Sequence, residues 1–179
     1  MVSGKFQERF YRQINVEMKT ISPKDLNNLQ LQTLLQTAIA PRPIALASTI
    51  DKDGNVNLSP FSFFNMFSTN PPVVIFSPSR RVRDNTTKHT LENVHEVAEV
   101  VIGIVNYNIV QQISLASTEY EKGVNEFVKS GLTMKEADLV KPKLIEECPV
   151  NIECKVLEIK ALGTEGGAGN LVICEIVKI

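Results

Sequence analysis

An excess charge of one sign, paired cysteines, clustered histidines and long apolar runs are all missing from this chain, and each absence removes a class of function. The 179 residues carry 19 basic and 20 acidic side chains, for a net charge of −1. That balance leaves no electrostatic footprint for nucleic acid or an anionic membrane, so an anionic ligand has to be held by a local patch. Cys148, Cys154 and Cys174 are odd in number and lack CxxC spacing, which suggests neither a disulfide framework nor a zinc site and fits a reducing cytoplasm. His89 and His95 have no acidic or cysteine partner at ligand spacing, and no metal is expected. The opening MVSGKFQERFYRQINVEMK breaks its apolar residues with charges, unlike a signal peptide, and no later run is long enough to span a bilayer. Gly163, Gly166, Gly167 and Gly169 do not form a G-x-G-x-x-G between strand and helix, which disfavours a Rossmann dinucleotide site. With no Ser/His/Asp or Cys/His constellation either, no catalytic side chain is assigned. A length of 179 residues fits one domain, residues 1–179, able to bury a little under ~70% of its unfolded surface.

What is present concentrates in PRPIALASTIDKDGNVNLSPFSFFN, residues 41–65. An apolar run over 44–50 meets the tight-turn pair Asp53-Gly54 and then a short strand over 55–58, which predicts a hairpin. Beyond it, Asn57, Leu58, Ser59 and Pro60 lead into Phe61, Ser62, Phe63, Phe64 and Asn65. Amide and hydroxyl groups beside flat apolar surface suit a planar heterocycle with polar edges. Half of Phe61, Phe63, Phe64 and Phe67 are expected to face the core.

Ser22-Pro23 reads as the start of a helix carrying Leu26, Leu29, Leu34 and Leu35, stopped by Pro41 and Pro43. Strands are expected over 66–68 and 73–77, a helix over 90–96, a strand over 97–105, helices over 106–116 and 124–129, and long strands over 150–162 and 171–179. The glycine-rich joint 163–170 is expected to be mobile. Many strands with short helices at the corners, and no βαβ alternation, predict a mainly β fold built as an antiparallel barrel. Ser77, Ser79, Arg80, Arg81, Arg83 and Lys88 form the densest basic and hydroxyl cluster, and a helix starting near His89 would aim its free amides at it, as a phosphate requires. A solvated loop contains the same residues, so the cluster alone leaves both readings open.

The stretch 41–65 resembles the flavin reductase-like family of FMN-binding split barrels, which includes the flavoredoxins. The resemblance continues through Pro71-Pro72-Val73-Val74-Ile75-Phe76-Ser77-Pro78-Ser79 and Lys88-His89-Thr90-Leu91-Glu92-Asn93, and more weakly through Asn125-Glu126-Phe127 and Cys148-Pro149-Val150-Asn151-Ile152-Glu153-Cys154-Lys155. It covers roughly residues 40–160. Family members usually have Asp where this chain has His89, a substitution expected to weaken the helix cap, and many extend past the position of Ile179.

The resemblance implies an antiparallel FMN-binding split barrel. It implies flavin contacts from Ser48, Thr49, Asn57, Ser59, Ser62 and Asn65, with the backbone amides of 57–63, including those of Leu58 and Phe63, along the ring edge. It assigns Ser77, Ser79, Arg80, Lys88 and Thr90 to the phosphate end. The implied activity is an NAD(P)H-dependent flavin reductase passing hydride to flavin N5, with NADH or NADPH as donor and free flavin or a redox protein as acceptor. A flavoredoxin-like FMN electron carrier and a non-catalytic flavin-binding module are the alternatives. A cytoplasmic homodimer is expected, with FMN close to the dimer interface and loops after residue 115 reaching the partner's flavin.

Overall fold

The computed structural model describes residues 18–179, so the first part of the N-terminal stretch discussed above lies outside the described residues. The chain divides into two compact units, Met1–Ala38 and Ile39–Ile179. In the described part of the first, Ser22 caps a single 3-10 turn, Pro23–Asp25. The helix α1, Asn28–Ala38, begins only after Leu26. The expected continuous helix is therefore broken, because Asn27 and Gln30 exchange backbone and side-chain hydrogen bonds at 3.0 and 2.9 Å and set a new N-terminus there. No residue of α1 is buried.

The second unit is built on nine strands: β1 Ala45–Ile50, β2 Val56–Phe61, β3 Phe64–Thr69, β4 Pro72–Phe76, β5 Glu99–Ile104, β6 Met134–Lys135, β7 Leu144–Ile145, β8 Val150–Ala161 and β9 Asn170–Lys178. Three short helices complete it: α2 His89–Glu96, α3 Val110–Ala116 and α4 Glu126–Ser130. Seven strands form one antiparallel sheet in the order β2-β1-β5-β8-β9-β4-β3, while β6 and β7 make a separate ribbon. The hairpin expected around Asp53-Gly54 is present, with Gly54 at φ 92° and the Asp51 carboxylate accepting the backbone N–H groups of Asp53 and Asn55. Its second strand runs on to Phe61 rather than stopping at Leu58, since Pro60 and Phe61 still pair with Leu46 and Ala45.

The sheet curls around a single interior. Every one of its strands contributes, with Ala45, Ala47, Phe61, Val74, Phe76, Val100, Ile102, Ile152, Cys154, Val172 and Cys174 buried together and Phe64 packed against them. Phe61 on β2 meets Phe76 on β4 at a ring-centroid distance of 5.4 Å, although these strands lie near opposite ends of the sheet order. Phe61 and Phe64 turn inward while Phe63 and Phe67 stay exposed, so half of the four face the core, with the turn between β2 and β3 resetting the alternation. The opposite face of β1 and β2 builds a second core, where Leu46 and Leu58 pack with Ile109 and Ile113, Phe127 and Ile145. All six residues of β1 are consequently buried, because that strand is sandwiched between the two cores.

Helix α2 packs against β1 and β2. Leu91 and Val94 enter the interior core, and the polar residues of the helix bond to the sheet: Asn93 Nδ2 donates to Thr49 Oγ1 at 3.2 Å and Asn57 Nδ2 to Thr90 Oγ1 at 2.9 Å. All four side chains are buried, so deleting one partner strands the other at about 1–3 kcal/mol. The helix is thereby fixed in register on β1 and β2. On the outer side, the Glu126 carboxylate accepts the Leu58 N–H at 3.0 Å and covers the free edge of β2.

Candidate functional site

The N-terminal turn of α2 opens onto a cavity of about 200 Å³ lined by Asn57 and Ser59 of β2, Arg81, residues 88–90, Ala116 at the end of α3, residues 117–120 after it, and Glu126. Its basic groups come from the segment that follows β4. Asp84 accepts the backbone N–H and hydroxyl of Thr86 at 3.0 and 2.6 Å, and these bonds hold its carboxyl well below the usual range. Asn85 adopts a left-handed φ of 57° and donates its N–H to the Arg81 carbonyl at 2.9 Å. This tight loop sends adjacent arginines apart. Arg80 Nε donates to Asn85 Oδ1 at 2.7 Å, whereas Arg81 donates to Thr86 Oγ1 at 3.1 Å and to the Thr87 carbonyl, and pairs with Glu119 at the cavity rim.

Lys88 occupies the N-cap position of α2, one residue before the expected His89, and no side chain caps the helix. Its Nζ lies 5.3 Å from the Phe61 ring centre, and among the described residues the ammonium forms no ion pair. Burial, reinforced by the nearby Arg81 charge, pushes its pKa below the ordinary lysine value. The Glu119 carboxylate offsets this only in part, so the half-buried cation stays costly, and an anion in the cavity would lower that cost. Burial likewise pushes the His89 imidazole down, with Glu92 opposing, and pushes the Glu126 carboxyl up against the bond from Leu58 N–H.

Of the residues singled out from sequence, the structure brings Asn57, Ser59, Lys88 and Thr90 together around the cavity. Ser48 and Thr49 are fully buried, Thr49 on Asn93, while Leu58 packs its side chain into the second core. Ser62 accepts from Arg42 Nη1 at 2.8 Å, the Arg42 guanidinium lies 5.8 Å from the ring centre of the exposed Phe63, and Asn65 is exposed. Ser77, Ser79 and Arg80 face the 163–170 joint instead. That joint is not free: Arg80 N–H and Gly167 N–H exchange bonds with Ala168 and Arg80 carbonyls at 2.9 and 3.0 Å, and Asn170 donates twice to Pro78. A Cβ on Gly166 would lie 3.1 Å from the Arg81 carbonyl, so close approach of two backbones explains the glycine. The mobility expected of this joint gives way to these long-range bonds.

Ser117, Thr118, Glu119, Tyr120 and Glu126 reach the cavity without having been singled out as ligands. Nothing local marks them; only the packing of α3 and α4 on β2 carries them there.

A family model described as the flavin reductase like domain matches residues 37–179. The chain belongs to the flavin reductase-like family. A relative of this flavin reductase-like chain from Aquifex aeolicus is 40% identical over 133 residues, spanning 74% of this chain and 67% of its own. Another from Halalkalibacterium halodurans is 33% identical over 147 residues, spanning 82% and 70%. Among solved structures, Bacillus cereus nitrilotriacetate monooxygenase component B superposes with a TM-score of 0.85 at 27% identity, covering 91% of this chain and 81% of that one. A Shewanella frigidimarina chain with a split barrel domain gives 0.67 at 30% identity, covering 76% and 65%. The curled antiparallel sheet is thus a flavin reductase-like split barrel, and the chain is a flavin-related oxidoreductase. No helix among the described residues is long and apolar enough to cross a membrane.

Proposed function

We propose that this chain binds FMN and acts as an NAD(P)H-dependent flavin reductase, working as a cytoplasmic homodimer and handing electrons to free flavin or to a redox protein. The observation that carries the reading is Lys88, a half-buried ammonium without an ion-pair partner among the described residues, beside Arg81 and the uncapped first turn of α2. A phosphate monoester fits this donor set: Arg81 offers a planar fork, Lys88 a point charge and the helix its dipole. Hydroxyls of Ser59, Ser117 and Thr118 add neutral hydrogen-bonding groups.

The cavity, at about 200 Å³, is smaller than the ~300 Å³ at the lower end of drug-sized ligand sites. It suits the phosphate end of a flavin nucleotide rather than all of it, leaving the ring to a surface beyond the cavity. Bound flavin supplies hydride and electron chemistry of its own. The chain's part is then to bind, orient and exclude water: Arg81 and Lys88 anchor the anion, while the Asn57–Thr90 and Asn93–Thr49 bonds keep α2 from shifting against β2 and β1. The nicotinamide donor and the acceptor rest on the family membership. An oxidoreductase role is supported further by the Pseudomonas fluorescens 2-nitrobenzoate 2-nitroreductase NbaA, 25% identical with a TM-score of 0.79 over 89% of this chain.

The test is stopped-flow absorbance at the oxidised flavin band. Protein with bound FMN should be bleached by NADH or NADPH faster than free FMN and should turn over many times when FMN is in excess. Bleaching no faster than that of free FMN with either nucleotide overturns the reductase reading. Rapid reduction by a reduced redox protein alone replaces it with an electron carrier.

A further inference from the structure

The cavity that holds Lys88, which forms no ion pair among the described residues, also holds a carboxylate that occupies its other cation. Glu119 sits at the rim and pairs with Arg81 Nε, whose side chain is 17% exposed, and the same carboxylate reaches Arg83 outside at 3.3 and 3.4 Å. Arg83 is 71% exposed and also holds Asp84 at 2.9 Å. Glu119 therefore bridges one arginine facing the cavity and one facing solvent. A phosphate that takes Arg81 competes with Glu119 for the same guanidinium, and Arg83 already lies in reach of the carboxylate that has to leave. Residues 117–120 follow the end of α3 and are exposed apart from Tyr120, so little packing opposes a shift of this side chain.

We propose that Glu119 is a displaceable internal ligand of Arg81, passed to Arg83 when a phosphate monoester enters, and that this exchange sets how strongly the cavity prefers a phosphorylated flavin to an unphosphorylated one. The proposal rests on the cavity being a phosphate site. Charge alone points the same way. Moving Glu119 outward raises the positive charge offered to the cavity by one unit, which favours a phosphate monoester over an uncharged ligand. Riboflavin has no phosphate, does not displace the carboxylate, and is insensitive to it.

The experiment is titration of FMN and riboflavin, followed by quenching of flavin fluorescence, into the wild type, Glu119→Gln, Arg83→Ala and the double variant. Both residues lie on exposed loop surface, so folding is retained. E119Q should tighten FMN about fivefold to tenfold and leave riboflavin within about twofold, the scale of a partly exposed charge-assisted pair. R83A should weaken FMN severalfold in the wild-type background, because Glu119 loses its outer partner. In the E119Q background that effect should largely vanish. A long-range charge effect of Arg83 acts equally in both backgrounds, so additivity overturns the exchange. E119Q that leaves FMN unchanged, or tightens FMN and riboflavin alike, overturns the role of Glu119 while a wild-type preference for FMN keeps the phosphate site. Equal affinity for FMN and riboflavin in all four proteins removes the phosphate site and this proposal with it.

Discussion

Arg80 and Arg81 are neighbours in sequence, yet one belongs to the scaffold and the other to the cavity. Arg80 is clasped by Asn85 and by the backbone of the 163–170 joint; Arg81 turns to Thr86, Thr87 and Glu119. The left-handed Asn85 holds Arg80 through its side-chain and backbone oxygens, whereas Arg81 reaches past it to residues 86 and 87 and to Glu119. A dense basic stretch is thus two half-clusters with different tasks. One locks a glycine-rich joint against the barrel, and the other leaves positive charge in a recess.

The sharpest way to break this division is to remove the cavity cations. Lys88→Ala should weaken FMN by roughly tenfold or more, as should Arg81→Ala, since charge-assisted bonds to phosphate are worth about 1.5–3 kcal/mol each. Isothermal titration calorimetry against FMN checks both, and unchanged dissociation constants would place the anion elsewhere. Arg80→Ala should do the reverse: it strands Asn85 and loosens the joint, with a stability loss of about 1–2 kcal/mol in urea denaturation and FMN affinity held within about threefold. A tenfold loss of FMN affinity in R80A erases the distinction between the arginines.

Gly166→Ala probes the same joint more gently. Its Cβ meets backbone atoms of residues 81 and 82 at 3.1–3.2 Å, which have little freedom to withdraw, so a loss of about 1 kcal/mol is expected. A thermal midpoint equal to that of the wild type would mean that the joint is looser than its hydrogen bonds imply. The smallest effect concerns Glu126 on the cavity side. Burial raises its pKa above the ordinary 4.5, so the folded chain holds that proton more tightly than the unfolded one. The associated stability is present below 4.5 and is lost as pH rises through the higher folded value. Glu126→Gln should therefore gain on the wild type between about pH 4 and about pH 7 in urea midpoint. A constant difference over that range contradicts a raised carboxyl.

Much of the barrel was legible because its signals are local. Asp53-Gly54 marks the hairpin, the β-branched run after α2 marks β5, and Gly131 at φ 70° ends α4 where a left-handed cap is needed. The ribbon of β6 and β7 leaves no such signal, since two residues a side carry no periodicity. The site was legible only in part. Asn57, Ser59, Lys88 and Thr90 line one cavity, because β2 and α2 bond directly. The direction taken by Arg80, the burial of Ser48 and Thr49, and the arrival of Glu119 and Glu126 are set by contacts between distant segments, and composition cannot register them. The 163–170 joint is the clearest case: its glycines look like slack, yet they exist to let two backbones touch.

Tyr120 makes the cavity optically addressable. The chain contains no tryptophan and three tyrosines. Tyr11 lies outside the described residues, Tyr107 is 87% exposed, and Tyr120 is part of the cavity wall. Ultraviolet emission therefore comes from phenols alone, and a molecule entering the recess changes the surroundings of one of them directly. Tyr107→Phe would remove a solvent-facing background without touching the wall. With Tyr11→Phe added, Tyr120 is the one phenol left and becomes an intrinsic gauge of occupancy, requiring no attached dye and no absorbing ligand, so colourless phosphates can be followed as readily as yellow ones.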